Sequence, residues 1–186
     1  MNKSILQDFE SVGLSDIGKA NFMNRVDTKF PIRTDTLFEK ILPYIKDHYY
    51  IVEIKGLRYM AYETVYFDTP DNTLFTAHHN GKLDRYKVRK RTYLDTGNVF
   101  LEIKHKNNKG KTKKKRIEIT TSLYEIMPEE YDFLREHIPY DPASLIPVIQ
   151  NHFHRITLVR KDMGENPIGH GYEKHVPFLA TLFFFI

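Results

Sequence analysis

Apolar and polar positions change their period part-way along the chain. Near the start, Ile5, Leu6, Phe9 and Val12 recur at helical spacing, which predicts a first helix capped by Ser4 and ended by Gly13. "NRVDTKFPI" (24–32) alternates as a strand does. A second helix follows from Asp35, with Leu37, Phe38, Ile41 and Leu42 on one stripe until Pro43 interrupts it. From Tyr50 onward period two takes over. "YIVEI" (50–54), "MAYETVYFD" (60–68), "DRYKVRKRTYL" (84–94), "NVFLEIKHK" (98–106) and "KKKRIEIT" (113–120) read as strands, with "TPDN" (69–72) and "DTGN" (95–98) as turns. Pro128 opens a helix, "PEEYDFLREHI", Pro139 closes it, and a last clear strand, "HFHRITLV" (152–159), follows. The order α, β, α and then mostly β predicts an α+β fold, without internal repeats or low-complexity linkers.

Period two also sorts the charges, because residues two apart in a strand share a face. Arg85, Lys87, Arg89, Arg91 and Tyr93 share one; so do Glu102, Lys104 and Lys106; so do Lys114, Arg116 and Glu118. The opposite faces carry Val99, Leu101 and Ile103, then Ile117 and Ile119, while the first strand is mixed there, with Lys90 and Thr92 beside Val88. This pattern calls for apolar packing outside and charge within. An ordinary wet sheet face is the plain alternative for any one strand. Three such strands in succession, with few acids interleaved, would repel one another unless an anion joined them.

Composition sharpens the contrast. Residues 85–119 hold 13 of the 28 Lys and Arg but only three acids, so a window of +10 sits in a chain whose remainder is −6. Such asymmetry points to a polyanionic partner: nucleic acid, an anionic membrane surface or a phosphorylated small molecule. A closed barrel lined this way would hold a chain of phosphates, with arginine forks suited to bidentate contacts and lysines acting as point charges. The hairpin tip "HKNNKGKTKKK" (105–115) reads either as a solvated loop or as a gate for an anion.

The absence of cysteine excludes disulfides and thiolate metal sites. Asp8 and Glu10 break the apolar run at the start, which does not resemble a secretory signal. His78 with His79, and His152 with His154, have spacings that can chelate a metal, but no third ligand accompanies them. No Gly-rich phosphate loop, nucleophile elbow or HExxH motif occurs. A sequence-reading RNA module would interleave stacking aromatics with its cations, and only Tyr93 follows the arginines on their face. No sequence-specific nucleic-acid partner is therefore expected.

Five segments in order, "RVDTKF", "YETVYFDTPDN", "HHNGKLDRYKVRKRTY", "VFLEIKHKNNKGKTKKKR" and "PVIQNHFHRITLV", resemble the VTC domain, the polyphosphate polymerase module of the triphosphate tunnel (CYTH-like) superfamily. The resemblance spans roughly residues 20 to 160. It implies an antiparallel β-barrel forming a triphosphate tunnel with peripheral helices. It also implies Mn²⁺ or Mg²⁺ as cofactor, and transfer of the γ-phosphate of ATP to polyphosphate. Carried across position by position, it gives Lys29, Arg89, Arg91, Lys104, Lys114 and Arg155 as catalytic phosphate ligands, with Tyr93 completing the RxRxY motif. Face sharing adds Arg85, Lys87 and Arg116 as substrate contacts. Glu102 is the best carboxylate for the metal, with an internal ion pair to Lys104 or Lys114 as its alternative; Asp27 is a weaker candidate, paired instead with Arg25. Relatives imply a cytoplasmic setting, in some cases at the inner face of a membrane beside a membrane-associated partner. Oligomeric state is left open.

Two departures qualify this picture. Arg25 stands where the hydrolytic branch has the first Glu of ExExK, which argues against a triphosphatase or a class IV adenylyl cyclase. After "RITLVRKDMGE", the last 21 residues, "NPIGHGYEKHVPFLATLFFFI", match no expected strand, and their apolar end is too short to span a bilayer. We therefore expect a VTC-like domain over 1–160, a divergent tail over 161–186, and a barrel that is incomplete, lacking the later carboxylate strand. On that expectation the chain is either a polymerase or a module that binds polyphosphate or another polyanion without turnover, with triphosphate hydrolysis as a further alternative.

Overall fold

A computed structural model describes residues 3–17, 31–161 and 179–185. Residues 24–30 of the predicted strand, with Lys29, lie outside the described residues, and Pro31 and Ile32 belong to no strand. In chain order the elements are β1 (Ser11–Val12), α1 (Leu14–Ile17), α2 (Thr34–Thr36), α3 (Leu42–Ile45), β2 (Tyr49–Val52), β3 (Met60–Asp68), α4 (Thr73–His79), β4 (Arg85–Tyr93), β5 (Val99–Lys106), β6 (Thr112–Ile119), α5 (Tyr131–His137), β7 (Ile146–Arg160) and β8 (Leu179–Phe185). Among the described residues, no helix is long and apolar enough to cross a membrane. The chain divides into two compact units, one built on 1–60 and 154–184, the other on 61–153.

In the first unit, Leu6, Phe9, Leu37, Phe38, Leu42, Ile51, Ile156 and Leu158 form one buried cluster. The predicted first helix is a 3₁₀ turn, Lys3–Asp8. Val12 leaves the helical stripe because β1 pairs in parallel with β2, setting Ser11 against Ile51 and Val12 against Val52. Strand pairing overrides the local period here. Arg58 fixes the turn from its C-terminal side, donating from Nη1 to the carbonyls of Leu6 (2.9 Å) and Phe9 (3.1 Å) while its Nε pairs with Glu53 at 2.7 Å. It thereby satisfies carbonyls that a short helix leaves without partners.

Pro43 does not end the second helix. A π-helical turn over Leu37–Ile41 precedes it, in which the Leu42 N–H bonds the Leu37 carbonyl five residues back. The proline falls in the first turn of α3, where its missing N–H is tolerated. Asp35 sits inside the first turn of α2, and the N-cap position is Arg33.

The second unit carries β3, β4, β5 and β6 in ladder order, together with residues 146–153 of β7. The ladders from β3 through β6 are antiparallel, and β6 forms an open edge, so the sheet does not close into a complete barrel among the described residues. The turn between β4 and β5 is the predicted one: Tyr93 N–H meets the Asn98 carbonyl, and Gly97 adopts φ 75°, open to glycine at no steric cost. One face of this sheet is apolar. Val65, Phe67, Val88, Leu101 and Ile103 pack with Leu74 of α4 and with Leu134 and Ile138 at the C-terminal end of α5.

Helix α4 was not evident in the sequence. Its N-terminus is capped from outside by Asp68, the last residue of β3, whose carboxylate accepts from the N–H groups of Leu74 (2.8 Å) and Phe75 (2.7 Å). The apolar face also holds one cation. Lys90 is wholly buried; its Nζ pairs with buried Glu130 at 2.7 Å and donates to Thr121 Oγ1 and to the carbonyls of Ser122 and Glu125. Burial pushes this ammonium down, a shift that Glu130 only partly opposes. The loop after β6 is thus tied to the back of β4 by one side chain.

Candidate functional site

The other face of the β3–β6 sheet is the charged one, and the register sets its residues in rows. Lys87, Lys104 and Lys114 stand abreast; Arg89, Glu102 and Arg116 form the next row; Arg91, Phe100 and Glu118 form the third; Arg85 and Lys106 form a fourth with Thr112. The face therefore gathers eight cations and two carboxylates from three strands. Like charges directly opposite one another destabilise a sheet. An anion laid across these rows would relieve that repulsion.

Glu102 is the pivot. It is 1 % exposed, and each of its oxygens meets a cation: Oε2 accepts from Arg89 Nε at 2.7 Å and Nη2 at 2.6 Å, and Oε1 pairs with Lys114. Burial pushes this carboxyl up, but Arg89 and Lys114 outweigh burial and hold it below the usual carboxylate value. Arg89 Nη1 donates to the Tyr66 hydroxyl at 3.1 Å. A cleft with about 30 Å³ of free space lies here, lined among others by Tyr66, Lys87, Arg89, Glu102, Lys104 and Lys114.

Arg91 is placed by aromatics. Its guanidinium lies 5.4 Å from the Tyr62 ring centre and 5.1 Å from that of Phe153, and its Nε donates to Thr64 Oγ1 at 3.0 Å. Burial and the charge of Arg89 lower its affinity for the proton. Arg116 lies 4.7 Å over Phe100, and Tyr93 meets Tyr62 and Phe100 edge-on. Lys87 Nζ is 3.2 Å from His78 Nε2 at the end of α4, and Arg85 donates to the Lys82 carbonyl at 2.6 Å. These aromatic supports were missed in the sequence. The signal was present, since Tyr62, Thr64 and Tyr66 share one face of β3 and register opposite Tyr93, Arg91 and Arg89.

The structure thus brings Arg85, Lys87, Arg89, Arg91, Tyr93, Glu102, Lys104, Lys114 and Arg116 onto one face. Arg155 belongs to the first unit, where its Nε donates to Thr157 Oγ1 at 3.1 Å. Lys29 and Asp27 lie outside the described residues. His152 pairs with Glu63 at 3.3 Å, whereas His154 stacks on Tyr59 with ring centres 4.3 Å apart. The two histidines have different neighbours and do not converge on a metal.

Glu102 does not fit a resident divalent cation, because both oxygens are ion-paired and a hard cation requires several oxygen ligands. Among the described residues, no group of three or more His, Asp or Glu side chains gathers as a metal site would require.

The VTC domain family matches residues 24–166, more than three-quarters of the chain. Solved structures show weaker likeness. A Hippeastrum protein provisionally termed an adenylyl cyclase, and described as having a dominant triphosphatase activity, is 11 % identical with a TM-score of 0.42, covering 69 % of this chain and 68 % of that one. A Bacillus halodurans protein provisionally termed an adenylate cyclase is 15 % identical with a TM-score of 0.44, covering 69 % and 67 %. A stretch of 52 residues is 38 % identical to ATP synthase subunit a of Chloroherpeton thalassium, and the chain spans 14 % of the length of that curated relative. The family match, which takes in all three cationic strands, carries the assignment: this chain belongs to the VTC domain family.

Proposed function

We propose that the charged face of β4, β5 and β6 binds the phosphates of ATP and of a polyphosphate chain, and that the domain transfers the γ-phosphate of ATP onto that chain. The observation that carries this reading is the surplus of cations abreast on one face, eight against two carboxylates. Phosphoryl transfer asks little covalent chemistry of a protein; positioning and charge neutralisation supply most of the rate. Arg89 and Arg91, stiffened by Glu102, Tyr66 and the aromatic cluster, hold phosphate oxygens in fixed geometry. Lys87, Lys104, Lys114, Arg85 and Arg116 neutralise the charge of the chain, and Tyr93 packs edge-on against Tyr62 and Phe100. Lys29 and Arg155 are proposed as further phosphate ligands on the family resemblance alone. Mn²⁺ or Mg²⁺ enters bound to the nucleotide, as part of the substrate, where it neutralises phosphate charge.

The test is incubation of purified protein with ATP, Mn²⁺ and a short polyphosphate primer, following ADP and chain length together. ADP release with lengthening chains is the expected result. Phosphate release without elongation would replace this reading with triphosphate hydrolysis. Binding of polyphosphate without nucleotide turnover would leave a polyanion-binding module.

A further inference from the structure

Of the two carboxylates on the cationic face, Glu102 is the buried one and Glu118 is exposed. Glu102 lies between Arg89 and Lys114, and the reading above uses it only to stiffen Arg89. We propose that Glu102 is a positioning residue, an internal anion that keeps Arg89 fixed and lends Lys114 to incoming phosphate, rather than a ligand of a divalent cation. The inference rests on the phosphate-binding reading of this face.

Its two partners are held differently. Arg89 has three nitrogens engaged, two by Glu102 Oε2 and one by the Tyr66 hydroxyl, and its side chain is only 23 % exposed. To leave, it would have to give up both partners at once. Lys114 makes one ionic contact with Glu102, its side chain is 44 % exposed, and it projects from the open-edge strand. A phosphate oxygen approaching from solvent competes with a single carboxylate for this ammonium. Two cations already touching Glu102 also oppose the approach of a third, doubly charged one.

The decisive measurement is calorimetric titration of tripolyphosphate into the wild-type chain and into Glu102→Gln with a metal chelator present, paired with a Mn²⁺ titration of turnover. Removing the competing charge is expected to tighten metal-free binding by about fivefold or more. At the same time kcat falls as Arg89 loosens, and the Mn²⁺ concentration giving half-maximal turnover stays unchanged. Metal-free affinity in E102Q that is unchanged or weaker overturns the inference. So does a tenfold rise in the Mn²⁺ requirement with binding unaltered, which would make Glu102 a metal ligand. Failure of the wild-type chain to bind tripolyphosphate would overturn the phosphate reading itself, and needs no variant to be recognised. Should E102Q not fold, Lys114→Gln tests the lent cation directly: metal-free affinity is expected to drop at least about fivefold, and an unchanged affinity overturns the proposal.

Discussion

Arg89 and Lys90 are neighbours in sequence that face opposite sides of β4, and each meets a buried carboxylate, Glu102 on one side and Glu130 on the other. Breaking a buried pair leaves an uncompensated charge, whereas replacing both partners by apolar groups is often neutral. Lys90→Met is therefore expected to lower the stability of the fold by about 3–5 kcal/mol. The double substitution Lys90→Met with Glu130→Leu should recover much of that loss. Urea denaturation of the three chains checks both, and a double variant as unstable as the single one would contradict the account. Lys114 gives a prediction in pH. Burial, helped by Arg89 and Arg91, lowers its affinity for the proton despite Glu102. A base with a lowered value keeps its charge below that value and loses it as pH rises, so tripolyphosphate binding should weaken at less alkaline pH than an ordinary lysine would give. Lys114→Arg, which stays charged, should flatten that alkaline limb in the same titration.

The elements were legible where period two and packing agreed. Strands β3 to β6 and the turn with Gly97 follow the predicted boundaries to within one or two residues, because their apolar face is covered by α5 and their polar face is charged. Legibility failed where long-range contact outweighed local pattern. Val12 joined β1, Pro43 fell in the first turn of α3 behind a π turn, and α4 was capped by Asp68 from the preceding strand. Of the site, the cations were legible by alternation. The residues that hold them still, Tyr62, Tyr66, Thr64 and Phe153, belong to other strands and became visible only with the register. Strand β6 carries a further expectation. Among the described residues it is an open edge whose exposed Lys113 and Lys115 face away from the charged rows, and lysines on an edge discourage pairing with other chains. Replacing both with Thr should promote self-association, detectable by light scattering, without altering tripolyphosphate affinity.

Across the whole chain, charge is separated: +10 within residues 85–119 against −6 elsewhere. Surface charge of this kind is screened within about 10 Å at 0.1 M salt, so tripolyphosphate affinity should fall steadily with added NaCl. An affinity insensitive to salt would mean that shape, not charge, does the binding. The same separation bears on how the chain finds its own alignment. A one-residue slip of β4 against its neighbours would turn arginines toward the apolar packing and Lys90 toward the charged rows, a mistake that hydrophobic contrast alone would punish weakly because this strand is polar on both sides. Glu102 and Glu130 act as two keys cut for different locks: of the β4 side chains, Arg89 reaches the first and Lys90 the second. Misaligned, each loses its β4 partner. Two buried acids, Glu102 on β5 and Glu130 just before α5, make the registration of β4 unambiguous.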